Sequence, residues 1–114
     1  AGVLCRRELL DEHPEQIIAL QSALGRAADW VMAAPDQAAI LGAEKSPLSR
    51  QVFEGAIPRT RIRMVSAIDA RPQLEQFFTA LTDLSSGFIG GKLPDDGFYL
   101  PDSLSQSIQQ GATR

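Results

Sequence analysis

His13 and Cys5 are the single histidine and the single cysteine of the chain, so any nucleophilic or metal chemistry would start with them. A thiol beside an imidazole becomes a nucleophile only where the two converge and a third group orients the base. Nothing in the spacing of residues 5 and 13 provides that convergence. His13 stands directly before Pro14 and reads as the residue leading into a helix. Cys5 reads as a small apolar side chain destined for burial. One cysteine also excludes an internal disulfide and a multi-cysteine zinc site. Gly90-Gly91-Lys92 invites a phosphate-loop reading, but the P-loop needs two glycines flanking four residues, then Lys and Ser or Thr, between a strand and a helix. Here Leu93-Pro94 follows, and a turn-rich loop is the better reading. Asp95-Asp96-Gly97 lacks the alternating oxygen ligands and closing Glu of a calcium loop, so it reads as a tight turn. No catalytic residue, no metal ligand and no cofactor is therefore expected, and the chain is not expected to be an enzyme.

Charge excludes further classes. The 114 residues carry 11 basic and 14 acidic side chains, a net charge of -3. A dedicated nucleic-acid binder needs a concentrated positive surface, so no nucleic-acid partner is expected. Arg59, Arg61 and Arg63 are the one basic cluster. On a strand they would share a face able to meet an anion, or simply a solvated face that discourages edge pairing. No aromatic platform is interleaved with them, which favours the solvated face.

These residues need elements to position them. Pro14 suits a first helical turn, where its missing N–H costs nothing. Beyond it Ile17, Leu20, Leu24, Ala27, Ala28 and Val31 recur at steps of three and four, predicting a helix over 14–33 with Trp30 at the edge of its contact. Pro35 opens a second helix, 35–42, which Gly42 can end. Ser46 as N-cap and Pro47 open a third, 47–56, bounded by Gly55 and Pro58. Arg59 to Ser66 alternates arginines with Ile62 and Met64, the period of a half-buried strand. A second short strand is expected near 2–6. Asp69 can cap a helix over 70–86 whose stripe is Leu74, Phe77, Phe78, Leu81 and Leu84, with Phe88-Ile89 folding back on its last turn. The fold class expected is mostly α (α+β): four main helices plus one or two short strands, as a single helical domain over 1–100 and a polar tail over 101–114. Of the 44% hydrophobic residues many are alanine, so the core should be thin. No apolar run reaches the roughly 20 residues that span a bilayer.

The order of these segments carries a resemblance. Leu9-Leu10-Asp11-Glu12-His13-Pro14-Glu15, then a long helix, then Ala34-Pro35-Asp36-Gln37-Ala38-Ala39, then Phe77-Phe78, Gly87-Phe88-Ile89 and Lys92-Leu93-Pro94-Asp95-Asp96-Gly97-Phe98-Tyr99 follow one another. This series resembles the C-terminal part of ABC-importer periplasmic solute-binding proteins of the nitrate/sulfonate/taurine and thiamine-precursor type. The resemblance covers most of residues 3–100. It implies a C-terminal fragment of a two-lobed type II periplasmic binding protein. The whole protein would capture a small solute, deliver it to an ABC permease, and sit in the periplasm or another extracytoplasmic space. The first lobe and most of the second lie outside this sequence, so no ligand-binding residue is carried over.

The alternative is a small helical protein–protein interaction module with no transport role, presenting the Leu74 to Leu84 stripe. If the chain is a fragment, surfaces that met the missing lobes are left uncovered, with the strand around Ile62 and Met64, residues 3–5 and Phe98-Tyr99-Leu100 as the candidates. A homo-oligomer, simplest as a dimer, is therefore expected.

Overall fold

The computed structural model describes residues 2–104. Contacts divide the chain into two compact units, Ala1–Met64 and Val65–Arg114. Every regular element among the described residues is helical. Both expected strands, 59–66 and 2–6, are therefore absent. The first fails for a physical reason: Arg59 and Thr60 are taken by a preceding helix, and residues 61–66 find no second strand among the described residues to complete a ladder. The stretch at 2–6 likewise has no regular structure, and Cys5 is exposed rather than buried because nothing packs over it. The expected polar tail lies mostly outside the described residues.

The first unit begins with α1 (Arg7–Glu12), a short helix that periodicity did not reveal. It stops because a residue preceding proline is pushed out of the helical region. That residue is His13, at φ -137° and ψ 57°. Its N–H donates to the Leu9 carbonyl at 2.9 Å, and its carbonyl accepts from Gln16 N–H at 3.0 Å. His13 thus closes α1 and opens α2 (Pro14–Ala33) with no residue to spare. The same joint recurs at Ala34, at φ -129° and ψ 59°, between α2 and α3 (Pro35–Lys45). Ala34 N–H donates to the Trp30 carbonyl at 2.8 Å and its carbonyl accepts from Ala38 N–H at 3.0 Å.

Along α2 the buried or half-buried residues are Pro14, Ile17, Ile18, Gln21, Ser22, Leu24, Gly25, Ala28 and Val31. Leu20 and Ala27, expected on this stripe, point outward, and Leu20 is 43% exposed. Trp30 sits at the rim, 40% exposed. Gly42 does not end the third helix, which continues to Lys45. It is instead the place where α3 meets α4 (Arg50–Thr60). A Cβ at Gly42 would lie 3.0 Å from the Phe53 ring, so the absent side chain lets the ring settle against the α3 backbone. Ala38, Ala39 and Ile57 are buried at this contact, with Val31 and Phe53 partly buried against them.

α4 starts later and ends later than expected. Ser46 does not cap it. Its Oγ accepts from Leu48 N–H at 3.1 Å, a local turn that displaces the helix start to Ser49 and Arg50. Pro58 does not stop it either. It lies in the last turn, where only one intrahelical bond is lost, and the helix ends at Arg61 in the left-handed conformation, φ 47° and ψ 50°.

The second unit is built on α5 (Ala67–Leu84). Ser66, not Asp69, is its cap: the Ser66 Oγ accepts from Asp69 N–H at 3.1 Å. A 3-10 turn, Ser86–Ile89, follows and packs back on α5. Gly90 and Gly91, at φ 75° and 95°, then reverse the chain, and Gly91 N–H donates to the Ser86 carbonyl at 2.8 Å. A second 3-10 turn, Asp96–Phe98, returns the chain to the helix.

Candidate functional site

The sequence-nominated residues are not brought together. His13 serves the joint described above, and its Nδ1 lies 3.4 Å from Glu15 Oε1, both exposed. Cys5 is exposed, and no hydrogen bond joins it to His13 among the described residues. Arg59 ends α4, Arg61 caps it, and Arg63 follows in the irregular stretch, so the three do not share a strand face. Among the described residues no group of three His, Cys, Asp or Glu side chains is placed to hold a metal ion. Gly90-Gly91-Lys92 forms a chain reversal, as the loop reading expects.

The organised cluster of the molecule centres on Arg71, which sequence reasoning passed over. α5 places Arg71 and Glu75 one turn apart, and Arg71 Nε donates to Glu75 Oε1 at 2.7 Å. The 3-10 turn at 96–98 brings Asp96 opposite, with Arg71 Nη2 to Asp96 Oδ1 at 2.8 Å. The face of the guanidinium rests on the Tyr99 ring, its Cζ 4.6 Å from the centroid. Tyr99 in turn meets Phe98 edge-on at 5.2 Å, and Phe98 meets Phe78 of α5 edge-on at 6.2 Å. One arginine and three aromatic rings therefore fasten the 96–99 segment to the helix.

The electrostatics suit holding rather than reaction. The hydrogen bonds that Arg71 donates to Glu75, then to Asp96, raise its pKa further above its already high value. Its charge is answered by two carboxylates, so no positive end is left to receive an anion. Tyr99 is 4% exposed, and burial, then the nearby Glu75 charge, pushes its phenol up against the opposing pull of Arg71. The hydroxyl is buried with no hydrogen-bond partner among the described residues. A phenol raised in this way stays protonated at neutral pH and is no base. Beside the cluster runs a groove of about 500 Å3 lined by Pro72, Glu75, Gln76, Thr79 and Leu93. Of its polar groups, Glu75 already holds Arg71, and Thr79 Oγ1 donates to the Glu75 carbonyl at 2.7 Å.

The outer side of the same unit is apolar. The inward residues of α5 are Leu74, Phe78 and Leu81 from the expected stripe, all only half-buried. Phe77 and Leu84, expected on it, are 58% and 78% exposed, and Phe88 is 67% exposed. No residue of α5 is fully buried. Of the three segments expected to lie uncovered, Tyr99 is buried, whereas Val3, Leu4, Ile62, Met64 and Phe98 are exposed.

No family model, no curated protein and no solved structure matches this chain.

Proposed function

We propose that the chain is a small helical protein–protein interaction module whose contact face is the outward side of α5. One observation carries this reading. Phe77 and Leu84 lie seven residues, two helical turns, apart on the exposed side of a helix that buries nothing fully, and Phe88 in the 3-10 turn that follows is 67% exposed. The three side chains expose about 400 Å2, against the ~800 Å2 that each partner gives to a standard interface. The occupant proposed is a second copy of the chain. The second unit buries only Tyr99 among its described residues, and a two-fold pairing through α5 supplies the apolar cover it lacks. Sedimentation velocity across a concentration series tests this. The native chain should dimerise, and Phe77→Ser with Leu84→Ser should leave a monomer of unchanged helicity. A native chain that stays monomeric at high concentration rejects the reading.

A second reading is proposed on the motif order alone: a C-terminal piece of an importer solute-binding protein, acting outside the cytoplasm with a permease. The two proline joints at 13–14 and 34–35 fall at the helix starts that carry the resemblance. The reading frame upstream of Ala1 decides it. An α/β lobe there, in a product that binds a small solute, supports transport, and a frame with no such lobe removes it.

A further inference from the structure

We propose that the peptide bond between Arg63 and Met64 is a processing site, at which an arginine-specific protease divides the chain into its two units. Three observations point to this bond, and none of them involves the α5 face. First, it lies at a natural division. The boundary between the two compact units falls between Met64 and Val65, so a cut one residue earlier leaves α1 to α4 in one product and α5 in the other. Ser66 stays with the helix it caps. Second, the backbone is open. Residues 58–65 are all exposed, and 61–66 form no helix, turn or bend. Among the described residues, no N–H or carbonyl of residues 62–65 is hydrogen-bonded. Arg61, which ends α4, is the one described non-glycine residue with positive φ, so the chain beyond it already has the sign of φ that an extended substrate needs. An extended peptide is bound as an added strand, through main-chain hydrogen bonds, and a segment whose groups are free breaks nothing to make them. Third, the arginine is available. Arg63 makes no ion pair among the described residues, whereas Arg50 and Arg71 do. An unpaired guanidinium enters an acidic specificity pocket without first leaving a carboxylate.

The other basic positions are less open. Arg26, Arg50 and Arg71 belong to helices, and a helix must unwind before a protease can read it. Lys45 is the last residue of α3, and the Arg6 carbonyl accepts from the N–H groups of Leu9 and Leu10. Lys92 stands on an exposed turn, but Pro94, two residues on, has no N–H to give to a strand-like complex. Arg61 is held in the left-handed conformation and would have to leave it. The reaction at Arg63 is hydrolysis and needs only water. The hydroxyl adds to the Arg63 carbonyl carbon, the C–N bond breaks, and the proton goes to the Met64 nitrogen. The products are residues 1–63 with a new carboxylate and residues 64–114 with a new amine.

The test is a time course of the full chain with a trace of trypsin, whose pocket accepts both Lys and Arg, read by intact mass. The first products should be residues 1–63 and 64–114, with the helical circular dichroism of the uncut chain retained. Arg63→Gln should slow cleavage at this bond about a hundredfold at unchanged helicity. Met64→Pro keeps all three arginines and should move the first cut elsewhere. A first cut at Lys92, Arg50 or Arg7 in the native chain overturns the proposal, as do cuts spread over several bonds at similar rates. Loss of helical signal on cleavage at Arg63 also overturns it, because the two units would then not survive separation. Phe77→Ser with Leu84→Ser should leave the first cut at Arg63, so this site and the α5 face stand or fall separately.

Discussion

Residues 14–60 hold three helices together through the smallest side chains, whereas residues 67–99 hold one helix and a returning segment through the largest. In the first unit Ala28, Ala38 and Ala39 are buried and Gly42 makes room for the Phe53 ring. Helix backbones come close, and the cohesion is dispersion and close fit. In the second unit no residue of α5 is fully buried, and a guanidinium lying on a tyrosine ring joins α5 to Asp96 and Tyr99. The contrast shows two routes to order in a chain with few large apolar residues. Close approach needs no charge but tolerates no added atom. A charged clasp tolerates substitution around it but leaves apolar surface open, and that surface is what we assign to association.

The contrast can be broken most severely at Ile57, the one large side chain among the three buried at the α3–α4 contact. Ile57→Ala should cost about 3 kcal/mol, because the neighbouring alanines have no side-chain length with which to fill the cavity. Urea unfolding followed by Trp30 fluorescence measures this. The next effect is smaller and sharpens the argument about fit. Gly42→Ala gains up to ~1 kcal/mol of helix propensity but drives a methyl group to 3.0 Å from the Phe53 ring, so the net result should be a loss of about 1 kcal/mol. Gly55→Ala in α4 meets open space and should instead stabilise by ~0.5–1 kcal/mol. If both alanines stabilise, close fit at Gly42 is not what holds the pair.

In the second unit the effects are local. Tyr99 is the sole tyrosine, so its phenolate absorbance titrates one group. Its folded pKa is raised above the unfolded value of about 10, chiefly by burial. The stability this gives is therefore complete below about pH 10 and is lost as pH rises through the folded pKa. A phenol titrating at the unfolded value in the native chain would show that Tyr99 is not buried. Smallest is Asp96→Asn. The Asp96 side chain is 92% exposed, so its bridge contributes little to global stability. The substitution should leave the unfolding midpoint unchanged and speed amide hydrogen exchange at Phe98 and Tyr99.

Sequence periodicity located α2 to the residue, because a 20-residue amphipathic run opened by Pro14 and stopped before Pro35 leaves few alternatives. It did less well wherever the outcome depended on a partner. Ile62 and Met64 alternate as a strand does, but alternation supplies one strand and a sheet needs two. Leu20, Phe77 and Leu84 satisfy a helical step of three or four, yet the contact is narrower than the apolar face, so they fall outside it. Gln21 and Gly25 were overlooked on α2 because a hydrophobic pattern gives no weight to a polar side chain or to none. The Arg71 cluster was half visible: Arg71 and Glu75 at i and i+4 are a standard helical pair. Asp96 and Tyr99 join it only through the chain reversal at Gly90-Gly91, a contact across more than twenty residues that no local pattern encodes.

The paired joints at His13 and Ala34 determine where this polypeptide can be lengthened. Each joint is one residue long and serves two helices, receiving a hydrogen bond at the start of one and completing the end of another. An inserted residue would separate those duties and, carried into the helix that follows, would turn its inward face by about 100°. Insertions at 13 or 34 should therefore be poorly tolerated. Between Gly91 and Lys92 the backbone is exposed and already reversed by two glycines, and neither residue lines the groove or touches the arginine clasp. A labelling tag or a protease site is best placed there, since exposed turn tips accept extra residues without disturbing the elements they join.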